Sequence, residues 1–442
     1  MAQDLLERVR ARNPLPEGAV AIGAGLVVLG LTSYGFLVIS GRVLGPAVFA
    51  PLSALWAVVF TGGPGVFLPI EQEVARALAS RRAQGVGGRP VVRRAGMVAA
   101  TAAAIVLAAA VLARAPLLDA LFAGEPLLLV GLGLGIAGYA WEHLVRGALS
   151  GADRFGRYGV VLATEGTVRF GLALALAVLG VQVVGPYGVA LGLPPLVAAA
   201  VAARAPRQLT GDGPEAQWRE LSAALGWLLS AQVLAQLLVN GPQIAAVLLA
   251  APGEEAVAGR FISGVILARV PLFLFAAIQV ALLPKLATLA GAGLHDEFRS
   301  GLWRLLVAVA GIGLLAVAGA FAVGPWALRL LFGPAYDLAR ADLGMLALGA
   351  AMYMVALALA QALIALDAHA RVVAAWLAGV AGFTVVAAVA SELLLLRLEI
   401  GFVAGTGLAL AAMAWLTVVT VRAARHRFPA EQPSAGPFPA EP

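Results

Sequence analysis

The sequence contains no cysteine, a single lysine (Lys285) and only four histidines. Without cysteine there are no disulfides, thiolate nucleophiles, iron–sulfur clusters or cysteine-based zinc sites. The histidines at 143, 295, 369 and 426 are scattered, no H-E-x-x-H occurs, and the lone lysine stands in Leu283-Pro284-Lys285, outside any Walker sequence. ATP hydrolysis and zinc chemistry are therefore unsupported, and neither a cofactor nor a metal ion is expected. Charge is scarce as well: 12% of the 442 residues are Asp, Glu, Lys or Arg, against about a quarter in an ordinary soluble domain. With 61% hydrophobic residues and a mean hydropathy of +0.93, too few polar side chains remain to cover a water-facing sphere, which excludes soluble enzymes.

What the chain has instead is long apolar runs. Bounded by charge or by Gly and Pro, they read as spans at 19–40, 47–70, 95–113, 126–149, 158–180, 186–203, 221–250, 261–283, 305–323, 343–366, 372–390 and 401–421. A spanning helix needs about 20 apolar residues, so the fold class is an all-α polytopic membrane protein with about twelve transmembrane helices. The implied organisation is an N-terminal six-helix bundle (1–207), a cytoplasmic linker (208–220), a C-terminal six-helix bundle (221–421) and a disordered cytoplasmic tail (422–442). Arg8, Arg10 and Arg12 precede the first span without a small-residue cleavage site, so that span reads as retained.

Basic loops resist translocation, so the positions of the cations orient the chain. With the N-terminus inside, 21 Lys and Arg fall on the cytoplasmic side, six (Arg42, Arg114, Arg260, Arg329, Arg340 and Arg397) on the other, and Arg146, Arg169 and Arg269 within the spans. Both termini are expected in the cytoplasm of a multi-pass cytoplasmic-membrane protein. The net charge of +6 follows this placement in the lipid bilayer, and no nucleic acid partner is expected.

The halves echo one another. Ala148-Leu149, Asp153 and Arg157 recur as Ala362-Leu363, Asp367 and Arg371, all at one offset of 214 residues. A six-span shift is even, so the two halves point the same way, with an inter-half cleft as the natural place for a substrate. Chance similarity between Ala/Leu-rich helices is the competing explanation.

Charges inside the spans are the sharpest chemical signal, because an ionised group facing hydrocarbon costs several kcal/mol and should face a pathway or a partner. Glu165 and Arg169 share one face of the fifth span at i,i+4 spacing, about 17 Å from its inner end for Arg169. They are either a self-neutralising pair or functional. Glu142 and Arg146 repeat the pattern in the fourth span, where Arg146 is near enough to the end to snorkel and a structural pair is favoured. Arg269 has no acid within a turn, and Pro271 just after it interrupts the helix, which makes it the best lone cation for a substrate anion. Gln232, Gln236, Asn240 and Gln243 form one amide stripe on the seventh span, suited either to sugar hydroxyls or to bonding between helices. The formal G-x-G-x-x-G at 133–138 lies inside a spanning run with no strand before it, so close helix packing explains it better than a dinucleotide. Pro64, Pro69, Pro271 and Pro284 are expected to kink the second and eighth spans.

Several stretches resemble the multidrug/oligosaccharidyl-lipid/polysaccharide (MOP) exporter superfamily on its polysaccharide-flippase side. They are Gly41-Arg42-Val43-Leu44-Gly45-Pro46-Ala47-Val48-Phe49, Leu68-Pro69-Ile70-Glu71-Gln72-Glu73-Val74-Ala75-Arg76 and Ala268-Arg269-Val270-Pro271-Leu272-Phe273. Leu283-Pro284-Lys285-Leu286 and Leu331-Phe332-Gly333-Pro334-Ala335-Tyr336 complete the set. The resemblance implies two six-helix bundles around a cavity that opens alternately to either face, with polyprenyl-pyrophosphate-linked sugars as substrate. Arg42, Arg169 and Arg269 are the expected contacts to the pyrophosphate, and the motifs fix Arg42 and Arg269 in position only, not in role. Ala50 departs from the glycine expected by comparison with Gly259. Cytoplasmic-side polysaccharide biosynthesis enzymes are the implied protein partners.

The drug-exporter branch of the superfamily is the nearest rival, and the resemblance implies for it an acidic coupling site in the first or seventh span. The first span has no acid and the seventh only Glu220 at its edge, which leaves Glu165 as the one candidate proton carrier. Enzymatic function is not expected: an integral-membrane glycosyltransferase or polymerase needs carboxylates on a sizeable outer loop, and none is long enough. A non-transporting membrane scaffold working through the basic 71–94 loop and the tail is the remaining alternative.

Overall fold

The computed structural model describes residues 18–202, 211–221, 225–272, 275, 288, 289, 292 and 294–427, and among these there is no β-strand. Its long helices are α1 (Ala19–Gly62), α2 (Pro64–Ala83), α3 (Arg89–Leu112), α4 (Pro126–Gly151), α5 (Phe155–Val178), α6 (Val184–Gly192), α7 (Pro194–Ala202), α8 (Leu225–Leu248), α9 (Glu255–Ala268), α10 (His295–Phe332), α11 (Arg340–Ala365), α12 (His369–Val389) and α13 (Leu394–Arg427). Ten stretches among the described residues are long and apolar enough to cross a membrane, and the first, Val20–Ala83, is long enough for two passes. The second part of the eighth predicted span, with Pro284 and Lys285, lies outside the described residues. So does the predicted tail beyond Arg427.

The first two predicted spans join without a loop. Helix α1 runs through Arg42 and bends at Gly45, whose φ of 71° lies in the left-handed region that glycine enters without strain. Pro46 then removes a backbone donor just where the helical ladder is already broken. Helix α9 packs on this bend so closely that a Cβ on Gly259 would stand 1.9 Å from the Pro46 carbonyl oxygen. The second break comes at Gly63, before Pro64 opens α2.

Two arginines on the same end of the bundle close helix termini. The Arg42 guanidinium donates to the Leu330 carbonyl (2.7 Å) at the end of α10, and Arg397 donates to the Leu249 carbonyl (2.5 Å) just past α8. Each satisfies a carbonyl orphaned at a helix C-terminus, where a cation also meets the negative end of the dipole. This is why α13 begins at Leu394, ahead of the predicted boundary, with Arg397 and Glu399 already wound into it.

The repeat seen in the sequence is a repeat of structure. Helices α4 and α11 start 214 residues apart, at 126 and 340, and α5 and α12 likewise at 155 and 369. Asp153 and Asp367, in the turns between them, both hold φ at 55°, one of very few left-handed non-glycine conformations in the described chain. Helix α1 packs along α5 within its own half and against α8 and α9 of the other, and α2 packs on both α4 and α8, so α1 and α2 form the seam. Large apolar side chains such as Leu31, Leu112, Leu314, Leu315 and Trp415 point outward, as a hydrocarbon solvent requires.

Opposite the Arg42 end, described residues of the segment between the halves are tied to α2 and α3. Arg81 donates to Glu220 (2.7 and 3.1 Å) and to the Gly87 and Pro214 carbonyls, Arg89 pairs with Asp212 at 2.5 Å, and Arg94 lies 4.5 Å over the Trp218 ring. The Arg81 guanidinium holds the Glu220 carboxyl below the usual carboxylate range.

Candidate functional site

Within the first half, α4 and α5 carry their charges inward, where α1 and α2 supply partners. Arg169 is fully buried. Its guanidinium pairs with Glu165 one turn earlier and donates to the Tyr139 hydroxyl and to Ser33 Oγ, each at 3.1 Å. Tyr139 in turn donates to Glu165 (2.8 Å). The Trp56 and Phe60 rings lie within 6 Å of the cation and complete its cage. The i,i+4 pair expected from the sequence forms, and all of its partners come from helices of the first half, α1, α4 and α5.

Arg146 does not snorkel. It is buried against Glu71 (3.2 Å), Glu142 (3.6 Å) and the Tyr158 hydroxyl (2.8 Å). Tyr158 donates to Glu71 at 2.6 Å, and His143 Nδ1 lies 2.6 Å from the other Glu71 oxygen. The two groups meet at Glu142, which is fully buried and whose two carboxylate oxygens have no hydrogen-bond partner among the described residues. Glu71, His143, Tyr139 and Tyr158 are members that the sequence reading missed. Their partners lie far off along the chain, and the tyrosines carry no charge to betray them. Glu71 stood in a quoted motif, and its place at the inner end of an apolar run was the one available signal.

The second constellation lies at the seam. Helix α9 stops at Ala268, with Arg269 as its C-cap just before Pro271, as the expected interruption requires. Tyr34 of α1 donates to the Ile266 carbonyl in this broken turn (3.0 Å). Arg269 donates through Nη1 to Asn240 Oδ1 (3.2 Å), while its Nε and Nη2 are buried without a hydrogen-bond partner among the described residues. Among the described residues no carboxylate is paired with it, and the hydroxyls of Tyr34 and Tyr353 lie within electrostatic reach. Asn240 Nδ2 bridges to Thr61 of α1 (3.3 Å) and to Gln236 (3.2 Å). Gln243 is buried with its oxygen unpartnered among the described residues, and Gln232 is half-buried on the same stripe. The amide stripe thus faces the seam, and part of it bonds one half to the other.

Arg42 belongs to neither constellation. It lies exposed at the end where it closes α10. Among the described residues no three His, Asp or Glu side chains converge as metal ligands.

No protein-family model matches the chain. It is 30% identical over 402 residues to the uncharacterized protein Rv1510 of Mycobacterium tuberculosis, across 87% of this chain and 86% of that one. To the uncharacterized protein Mb3654 of Mycobacterium bovis it is 27% identical over 379 residues, across 82% and 81%. Among solved structures, the inward-facing conformation of a multidrug resistance MATE family transporter of the MOP superfamily superposes with a TM-score of 0.69 at 14% identity, covering 93% of this chain and 99% of that one. The outward-facing conformation of such a transporter gives 0.66 at 14% identity, covering 92% and 95%. The fold is that of the MATE transporters.

Proposed function

We propose an export function for this chain, which belongs to the family of the mycobacterial protein Rv1510: alternating access that moves an anionic, lipid-linked oligosaccharide across the cytoplasmic membrane. The observation that carries the reading is Arg269. A permanently charged guanidinium at the seam between two halves, with two nitrogens unpartnered and no carboxylate beside it among the described residues, is costly unless an anion comes to it. Its flat fork matches phosphate oxygens better than any other side chain does. A pyrophosphate meets that need, and the amides of Gln232, Gln236, Asn240 and Gln243 on the adjoining face offer donors and acceptors to sugar hydroxyls. A polyprenyl carrier leaves the apolar part of such a substrate in the bilayer. Arg169, already committed to Glu165, Tyr139 and Ser33, has no part in anion binding here, and Arg42 is engaged at the Leu330 carbonyl.

The test is translocation of a fluorescent polyprenyl-pyrophosphate sugar in proteoliposomes. Arg269→Gln should lower the rate at least about a hundredfold, the scale of a lost charge-assisted phosphate contact in a water-poor site, while Arg269→Lys keeps part of it and both variants insert normally. Equal rates in all three remove the reading. A second reading, a cation-coupled exporter of small molecules, is favoured by Glu142, a buried carboxyl that faces Arg146 at 3.6 Å and accepts no hydrogen bond among the described residues. Dye efflux driven by a proton gradient and lost in Glu142→Gln would select it.

A further inference from the structure

Helices α10 and α13 each pack along α11 but scarcely touch one another, so they form the walls of a groove whose floor is α11. Its volume is about 650 Å³. Leu306 and Ala310 of α10, Leu359 of α11 and Ala414 of α13 make it apolar along its length, and Thr417, the one hydroxyl in it, is occupied by the Met413 carbonyl. At one end stand Arg299 and Arg422, both exposed and neither paired with a carboxylate among the described residues, with the exposed Trp303 indole next to them.

The dimensions match one leaflet. From Arg299 to Ala310 is eleven residues, about 16 Å of helix at 1.5 Å each, and half of a bilayer's hydrocarbon core is about 15 Å. The cations and the indole stand where headgroups lie, and the apolar floor reaches the level where acyl chains end. Helix direction puts Arg299 and Arg422 on the same end as Arg81, Arg82 and Arg89, away from Arg42. The groove does not suit a sugar, since beyond the mouth its one polar group, the Thr417 hydroxyl, already donates to the Met413 carbonyl.

We infer that this groove holds an acyl chain of an anionic glycerophospholipid from the leaflet on that side, its phosphate bound between Arg299 and Arg422. The site is separate from Arg269, and the inference does not rest on the export reading.

Native mass spectrometry of the full-length protein, stripped of lipid in detergent and re-equilibrated with phosphatidylglycerol or with phosphatidylcholine of the same chains, tests it. The wild type should retain phosphatidylglycerol about tenfold better. Arg299→Gln and Arg422→Gln should each lower that retention about fivefold, the scale of one cation at a membrane surface. Ala414→Trp, which fills the groove, should remove both lipids while the melting transition persists; the two arginine variants lie at the exposed mouth and keep the test open should the tryptophan disturb folding. Equal retention of the two lipids, retention unchanged by the arginine variants or by a folded Ala414→Trp, displacement of phosphatidylglycerol by polyprenyl phosphate, or a dimer that Ala414→Trp dissolves would each overturn the inference. No transport is measured, so failure here leaves the export reading standing and failure of export leaves this result standing.

Discussion

The paired helices α4–α5 and α11–α12 have one backbone plan and opposite interiors. Tyr139 and Tyr353 occupy matching positions at the 214-residue offset, but around them Glu142, His143, Arg146, Glu165 and Arg169 give way to Ala356, Leu357, Ala360, Gly379 and Phe383. The second half forms the same helices and the same left-handed turn residue without a charge in that interior. The fold therefore does not require the first half's ionic network. Ions taken from water into a helix interior are net stabilising only when every lone pair and proton is satisfied, and here Glu142 is not. A network that architecture does not demand, and that contains a carboxyl accepting no hydrogen bond among the described residues, supports a working role for the first half.

The comparison breaks or holds on the Glu165–Arg169 pair, where the largest effect is expected. Glu165→Gln strands a buried guanidinium and should cost about 3–5 kcal/mol, read as a lowered melting temperature in detergent. Replacing both partners, Glu165→Ala with Arg169→Phe, imitates the second half and should recover at least half of that loss. A double variant as unstable as the single one would mean that the network is an element of the fold after all. Next in size is Gly259→Ala, which drives a methyl into the Pro46 carbonyl at the seam. It should cost about 1–3 kcal/mol, whereas alanine at Gly311 of α10, whose Cβ position is open, should be neutral or slightly stabilising.

The smallest expected effect sharpens the contrast between buried and water-facing pairs. Glu220 has its carboxyl pKa lowered by Arg81, so the pair stabilises above the carboxyl's unfolded pKa, near 4.5, and that stabilisation fades as pH falls through the lower folded value. Glu220→Gln should therefore cost at most about 1 kcal/mol at neutral pH, with wild type and variant melting curves converging in acid. Curves that stay equally far apart at both pH values would assign the loss to packing.

How much of this was legible along the chain depended on distance. The spans stood out because charge is so sparse, and Glu165–Arg169 and Glu142–Arg146 because i,i+4 neighbours share a helix face whatever surrounds them. Their true surroundings were not legible: Glu71 reaches His143 and Tyr158 across 72 and 87 residues, and no local pattern encodes such a meeting. Boundaries slipped for a similar reason. The 41–46 stretch read as a loop because Arg42 interrupts an apolar run, yet the helix continues through Arg42, which finds the Leu330 carbonyl 288 residues away, and breaks only at Gly45. Arg397 at the start of α13 repeats the case with Leu249.

By itself, composition determined the solvent: a chain with this little charge has to bury its backbone polar groups in helices within lipid, and the parity of the repeat set the two halves parallel. Only the tertiary structure decided which cations are spoken for. Arg169 has Glu165 one turn away in the sequence and Arg269 has no acid within a turn, yet along the chain both stood as candidate contacts to an anion. One is enclosed with that carboxylate by Ser33 of α1 and Tyr139 of α4, while the other is left at the seam with amide and hydroxyl neighbours, because the full set of partners around a guanidinium is fixed by helix packing.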